Sequence, residues 1–212
     1  RIHVPALQDG NHELTEDAFT DIEGRSGSGK TTLLNIIGGL YNPRARIIKI
    51  AGRDISNLRE SERIVLMLHN IGFVFQQYNL IPVLTAKENV EFIMLLQKTP
   101  AHEMRERALH LLEEVGLKDK ADVRPSELSG GQQQRVAVIR ALASRPKFIL
   151  ADEPTANLDS ISAANLLDMM ARMNREEGMT FIFSTHDQRV IDKARRVVTL
   201  EDGIIKSDEV RS

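Results

Sequence analysis

The chain contains no cysteine. Disulfide bridges, zinc knuckles and thiol catalysis are therefore excluded, and residue usage does not point to an oxidising compartment. An excess of one charge is missing as well: 28 lysines and arginines stand against 30 acids, a formal net charge of −2. A nucleic-acid partner would need a strongly basic patch, so no nucleic acid is expected. Long apolar runs are absent. The longest, Ile64–Leu68 and Phe92–Leu96, are five residues each, where a membrane-spanning helix needs about twenty. No membrane span and no signal peptide are expected. Repeats, low-complexity segments and long Pro/Ser linkers are also lacking. At 212 residues the chain suits a single domain with a substantial core and room for an inserted subdomain.

Strand-like and helix-like segments alternate along the chain. Ile71–Phe75, Phe148–Ala151 and Thr180–Phe183 are short, nearly unbroken apolar runs, the pattern of parallel strands covered on both faces. Val197–Leu200 reads as a further strand, closed by the turn signal Asp202-Gly203. Helical patterns cover Lys30–Ile37, Gln132–Ala143 and Ser160–Glu177, the last ending at Gly178. This alternation predicts an α/β fold with a mostly parallel sheet flanked by helices. The middle of the chain, residues 82–125, holds no good strand. Thr85 and Glu88 match a capping box, and Ala101–Val115 is amphipathic and ends at Gly116. We read this stretch as a helical insertion, leaving residues 1–81 and 126–212 as two parts of one core.

Gly24-Arg25-Ser26-Gly27-Ser28-Gly29-Lys30-Thr31 fits the phosphate-loop pattern G-x-x-x-x-G-K-[ST]. Glycines let backbone N–H groups curl round a phosphate. Lys30 reaches the β- and γ-phosphates, Thr31 offers a hydroxyl to Mg²⁺, and the following helix, with Thr32 in its first turn, aims its positive end at the anion. The residues before the loop fit less well. Such a loop should follow a buried central strand, yet Asp21 and Glu23 occupy it, and burying an unpaired charge costs several kcal/mol. Arg25 is a possible offset for Glu23.

Phe148-Ile149-Leu150-Ala151-Asp152-Glu153 is an apolar strand ending in two acids. In phosphate-loop ATPases an acid there holds Mg²⁺. Asp152 takes that role, and Glu153 is placed to polarise the attacking water. His186 and Gln76 each follow the end of an apolar strand, where ligands collect in parallel sheets. Spacing alone leaves both open between a structural role and contact with the γ-phosphate, the water or Mg²⁺. The metal set is thus Thr31, Gln76 and Asp152. A second glycine-rich loop, Leu128-Ser129-Gly130-Gly131-Gln132, precedes a helix, another arrangement that presents N–H groups to an anion.

Together these segments resemble the ATPase subunit of ABC transporters over nearly the whole chain. GRSGSGKT is similar to the Walker A loop, FQQ at Phe75–Gln77 to the Q-loop, and FILADE to Walker B with its glutamate. ANLD at Ala156–Asp159 resembles the D-loop and STHD at Ser184–Asp187 the H-loop. LSGGQ matches the family signature letter for letter, a chance event on the order of 1 in 1,000 or less at ordinary composition. The resemblance implies a P-loop NTPase fold whose helical insertion carries the signature, with its helix near residues 128–144. It also implies that two chains pair head to tail. Each ATP would lie between one chain's Walker A loop and the other's signature, with Asp159 in the D-loop, and Mg-ATP hydrolysis would open the dimer. FVFQQYNLIP, LSGGQQQR and ADEPTANLDS look most like the lipoprotein-release, macrolide-export and cell-division group. That group implies a cytoplasmic motor docked on membrane permease subunits. Tyr78, Leu80 and Ile81 would then face the permease, unless they are core residues under the insertion.

The chain departs from the family in its first fifty residues. Asp21 and Glu23 replace apolar residues, Arg25 stands where proline is usual, and Pro43–Arg46 lacks a Ser-Gly turn. The only aromatic before Gly24 is Phe19, too close to the loop to stack on adenine. An alternative reading follows: a nucleotide-binding regulatory or scaffolding domain with impaired hydrolysis.

Overall fold

The computed structural model describes residues 2–5, 11–14, 19–25, 27–40, 49–50, 53–54 and 58–211. The strands in chain order are β1 (Ile2–Pro5), β2 (Asn11–Leu14), β3 (Phe19–Glu23), β4 (Lys49–Ile50), β5 (Arg53–Asp54), β6 (Ile71–Val74), β7 (Phe148–Asp152), β8 (Thr180–Ser184), β9 (Arg196–Glu201) and β10 (Ile204–Val210). The helices are α1 (Lys30–Ile37), α2 (Glu60–Asn70), α3 (Ala86–Leu96), α4 (Ala101–Glu114), α5 (Gly130–Ala143), α6 (Ser160–Glu177) and the single turn α7 (Gln188–Ile191). A small antiparallel sheet has the order β2-β1-β4-β5, and the main sheet has the order β10-β9-β3-β8-β7-β6. In the main sheet β3, β6, β7, β8 and β9 run parallel, and only the edge strand β10 is antiparallel.

Successive residues of the central strands feed two different cores. Phe148 and Leu150 of β7, Ile182 of β8 and Ile22 of β3 pack with Leu33, Leu34 and Ile37 of α1 and Leu66 of α2. Ile149 and Ala151, Phe181 and Phe183, and Phe19 face the other way, into the core built by α3, α4, α5 and α6. Strands clothed on both faces are what unbroken apolar runs predict. The four strands read from sequence are all present, with β7 and β8 one residue longer than expected, β9 one residue longer at each end, and β6 one residue shorter. Asp202 and Gly203 both take positive φ in the tight turn between β9 and β10.

Strand β3 lies at the centre of the sheet, between β8 and β9, despite its two acids. Asp21 is fully buried, and among the described residues its carboxylate oxygens have no partner beyond the backbone of their own strand at Ile22. Its carboxyl is pushed up to about 7, by burial first and then by the nearby charges of Glu23 and Glu153. The strand tolerates the acid by keeping it largely protonated below neutral pH.

The capping box at α3 is present: Glu88 N–H donates to Thr85 Oγ1 at 3.2 Å, and Thr85 N–H donates to Glu88 Oε2 at 2.8 Å. Helices α3 and α4 pack on each other and on α5. Helix α5 starts two residues later than 128 and ends one residue before 144.

Candidate functional site

The carboxyl ends of β3, β6, β7 and β8 point the same way because these strands are parallel. Every candidate cis residue therefore reaches one rim of the sheet. At the end of β3 the chain turns through Gly24. A Cβ there would lie 2.3 Å from Leu200 O and 2.5 Å from Ser28 Oγ, so only glycine fits. Gly27 and Gly29 take positive φ before α1 begins. Ser26 lies outside the described residues. Lys30 Nζ donates to Gly24 O at 2.7 Å and to Arg25 O at 3.0 Å, folding its ammonium across its own loop. Ser28 is buried and its Oγ has no partner among the described residues, which leaves a hydroxyl free to bond a phosphate. Thr32 is exposed. Arg25 is exposed too and forms no ion pair with Glu23 among the described residues.

Thr31 Oγ1 donates to Asp152 Oδ2 at 2.8 Å across 121 residues of sequence. A hydroxyl and a carboxylate side by side at the foot of a phosphate loop form a hard-oxygen pair suited to Mg²⁺. No group of three or more His, Asp or Glu side chains converges among the described residues. Mg²⁺ needs none when one or two protein oxygens share it with substrate phosphates. Gln76, just past β6, is exposed and makes no side-chain hydrogen bond among the described residues.

Glu153 follows Asp152 with φ at 49°, in the left-handed region. Its N–H donates to Ser184 O at 2.9 Å, which ties the end of β7 to β8. Oε2 accepts from Thr185 Oγ1 at 2.8 Å, and Oε1 stands 2.6 Å from Nδ1 of His186. The glutamate side chain is 14% exposed and the histidine 89%, so a shielded carboxylate is held by a group that solvent can reach. Sequence spacing did not single out Thr185, although it lies between Ser184 and His186. Asp187 accepts from Arg189 and Thr155. Those hydrogen bonds, the arginine's first, hold its carboxyl down at about 2. Arg189 also reaches Ser160 O at 3.5 Å, so the H-loop is linked to the residue after Asp159. Asp159 itself caps α6 by accepting from Ile161 N at 3.1 Å and Ser162 N at 2.9 Å.

The second glycine loop stands apart from this rim, with no hydrogen bond to the phosphate loop among the described residues. Leu128 anchors it in the core. Ser129 Oγ accepts from Gln132 N at 3.3 Å, and Gln132 Oε1 accepts from Ser129 N at 2.9 Å. The capped helix start leaves Ser129 and Gly130 exposed. Gly131 packs against Asn157 and Leu158 of the chain's own D-loop. Phe19, by contrast, is buried against Phe181 and Phe183 and is unavailable to a base.

A glycine loop at a helix start, with its lysine and an Mg²⁺-type hydroxyl–carboxylate pair at one sheet rim, defines a phosphate-loop ATPase. The ABC transporter family model matches residues 7–156. The chain is 42% identical to the ABC transporter ATP-binding protein YtrE of Bacillus subtilis over 203 residues, 96% of this chain and 88% of that protein. It is 43% identical to the macrolide export ATP-binding/permease protein MacB of Syntrophobacter fumaroxidans over 98% of this chain, but it spans only 29% of that longer protein. The solved dimer of the ATP-binding cassette MJ0796 in a post-hydrolysis state, bound to ADP and Pi, superposes with a TM-score of 0.91 at 41% identity, covering 97% of this chain and 90% of that one. The chain belongs to the ABC transporter family, as its ATP-binding cassette, an ATPase.

Proposed function

We propose that the chain is the Mg-ATP-hydrolysing motor of an exporter or of a related machine for lipoprotein release or mechanical work. It would act as a head-to-tail dimer on the cytoplasmic face of the cell membrane. Thr31 and Asp152, with Gln76 drawn in on closure, would hold Mg²⁺. When bound, that ion supplies positive charge to the β- and γ-phosphates. Lys30 would leave the carbonyls of Gly24 and Arg25 for the phosphates, and the Ser28 hydroxyl would gain the partner it lacks. Glu153, its carboxylate aimed by Thr185 and His186, would accept the proton of the attacking water. His186 would face the γ-phosphate. The step needs positioning and charge, not a covalent intermediate. Ser129 and Gly130, presented at the start of α5, would close over the partner's ATP, with Asp159 at the same two-fold interface.

The single observation that carries this reading is the pair of clamps at one sheet rim, Thr31–Asp152 and Glu153–Thr185–His186. A groove of about 500 Å³ lined by Leu40, Ile64, Met67, Ile81 and Phe92 supports docking of a permease helix. Ile81 is in that lining, whereas Leu80 packs on the core and Tyr78 is half-buried. We assign residues 82–125, together with α5, to the part that moves relative to the core. Asp21 favours one second reading, a nucleotide-binding regulatory domain, because a buried acid sits behind the phosphate loop.

Mg-ATP turnover, measured beside the Glu153→Gln variant on a sizing column with ATP, separates the two. The motor reading expects turnover by wild type and an inactive variant that elutes as a dimer. Absence of nucleotide binding by both proteins would leave only the fold.

A further inference from the structure

Arg140 lies in the last turn of α5, and its partners are not on that helix. Nη1 donates to Asn79 O at 2.6 Å and Nη2 to Tyr78 O at 3.0 Å, across 61 and 62 residues of sequence. Those carbonyls belong to the loop that begins at Gln76. The guanidinium has no carboxylate partner among the described residues, and burial alone works against its charge. Burying an unpaired cation costs several kcal/mol unless hydrogen bonds replace its water. Here two carbonyl dipoles are the replacement, and a planar fork of donors is the group that can hold both at once.

The loop turns at Asn79, which sits at φ 48°, a left-handed geometry that asparagine adopts more readily than most residues with a side chain. The same short segment also reaches the other end of α5. A Cβ on Gly130 would stand 2.9 Å from the Tyr78 hydroxyl, so that hydroxyl occupies the space the glycine leaves open at the helix start. Gly130 and Arg140 are ten residues apart, about 15 Å along a helix. Arginine and tyrosine side chains together cover that distance, with the arginine leaning back towards the helix N-terminus. Tyr78 and Asn79 thus touch the signature helix at both ends, by two backbone hydrogen bonds at Arg140 and by close packing of the Tyr78 hydroxyl on Gly130.

We propose that Arg140 is a positioning residue that locks the loop after Gln76 onto the signature helix, so that the loop and the signature move as one body. The inference rests on the reading that Gln76 meets this chain's own ATP while Ser129 and Gly130 meet the partner's. Under that reading, a shift of Gln76 on its γ-phosphate is passed through the two carbonyls to α5, and so to the opposite ATP site. Coupling between the two sites then runs through this clamp, a mechanically defined path inside each chain.

The test uses Arg140→Met, which keeps the length and removes the donors, and Arg140→Lys, which restores one charged donor. Nucleotide affinity of the isolated chain, read with a fluorescent ATP analogue, should stay within about threefold of wild type for both variants. In the Glu153→Gln background, the ATP concentration needed for dimerisation should rise about tenfold or more for Arg140→Met, and turnover without the Glu153 change should show a rise of similar size in apparent KM at fixed protein concentration. Arg140→Lys should reverse part of both changes. Tyr78→Phe, which removes only the hydroxyl over Gly130, should weaken dimerisation in the same direction, and it decides the matter if Arg140→Met does not fold.

Unchanged dimerisation by the folded variants overturns the proposal. So does a parallel fall of affinity, kcat and thermal midpoint, which would mark Arg140 as structural only. Failure of Glu153→Gln to dimerise with Arg140 intact is a separate result. It removes the shared-ATP reading itself, and the proposal with it.

Discussion

Asp21 is the residue at which sequence and fold conflict most directly. Its carboxyl titrates at about 7 in the folded chain, against roughly 3.9 when unfolded. The native state therefore keeps a proton that the unfolded chain loses between those values. Stability is fully present below about pH 4 and is lost as pH rises towards 7, by about 4 kcal/mol at most. Asp21→Val removes the titrating group and fills the strand face with a residue suited to it. The expected outcome is a thermal midpoint that falls from pH 5 to pH 8 in wild type and stays flatter, and higher at pH 8, in the variant. A scan of melting temperature against pH checks it. The two acids were legible as misplaced from sequence, but the remedy was not, because protonation depends on depth of burial and on Glu153, which is distant in sequence and close in space.

At the scale of elements, the most informative side chain is Asn89 of α3. It is fully buried. Oδ1 accepts from Ile81 N at 2.8 Å, and Nδ2 donates to Ile81 O at 3.1 Å, Leu84 O at 3.1 Å and Thr85 O at 2.9 Å. One amide thereby shapes the loop that leads into α3. Asn89→Ala should cost about 2–3 kcal/mol, because several buried backbone groups lose their partner together. Thr85→Ala, which breaks only the cap, should cost about 1 kcal/mol. Urea unfolding of the two variants ranks them. The cap was readable because a box is a local pattern. Helix α2 and strand β10 were missed for opposite reasons. In α2 the apolar run Ile64–Leu68 carries no single-face period, and Ile64 and Val65 remain exposed. Strand β10 is a mostly exposed, polar edge strand that only its pairing with β9 identifies.

At the scale of the whole molecule, Arg107 joins α4 to the end of α6 by pairing with Glu177 at 3.2 Å, its side chain only 12% exposed. Burial opposes its charge, and Glu177 supports it. Glu177→Ala leaves that charge buried without a partner and should destabilise by about 3 kcal/mol. The double change Arg107→Met with Glu177→Ala should recover most of the loss, since no charge then remains to be buried. A double-mutant cycle followed by thermal unfolding measures the difference. Additive losses would show that the pair does not join the two helices.

By itself the sequence determined the chemistry and the elements that carry it. Glycines at fixed offsets before a helix, an apolar strand ending in Asp152 and Glu153, and the LSGGQ run are local, and their physical meaning needs no neighbour. Tertiary structure alone decided which of these groups meet. It set the strand order that places β3 between β8 and β9, the bond from Thr31 to Asp152, the grip of Thr185 on Glu153 and the reach of Arg140 to Tyr78 and Asn79. The reason is physical. A residue's periodicity reports which face of its own element is buried, whereas its partner is set by the packing of elements far apart in the chain.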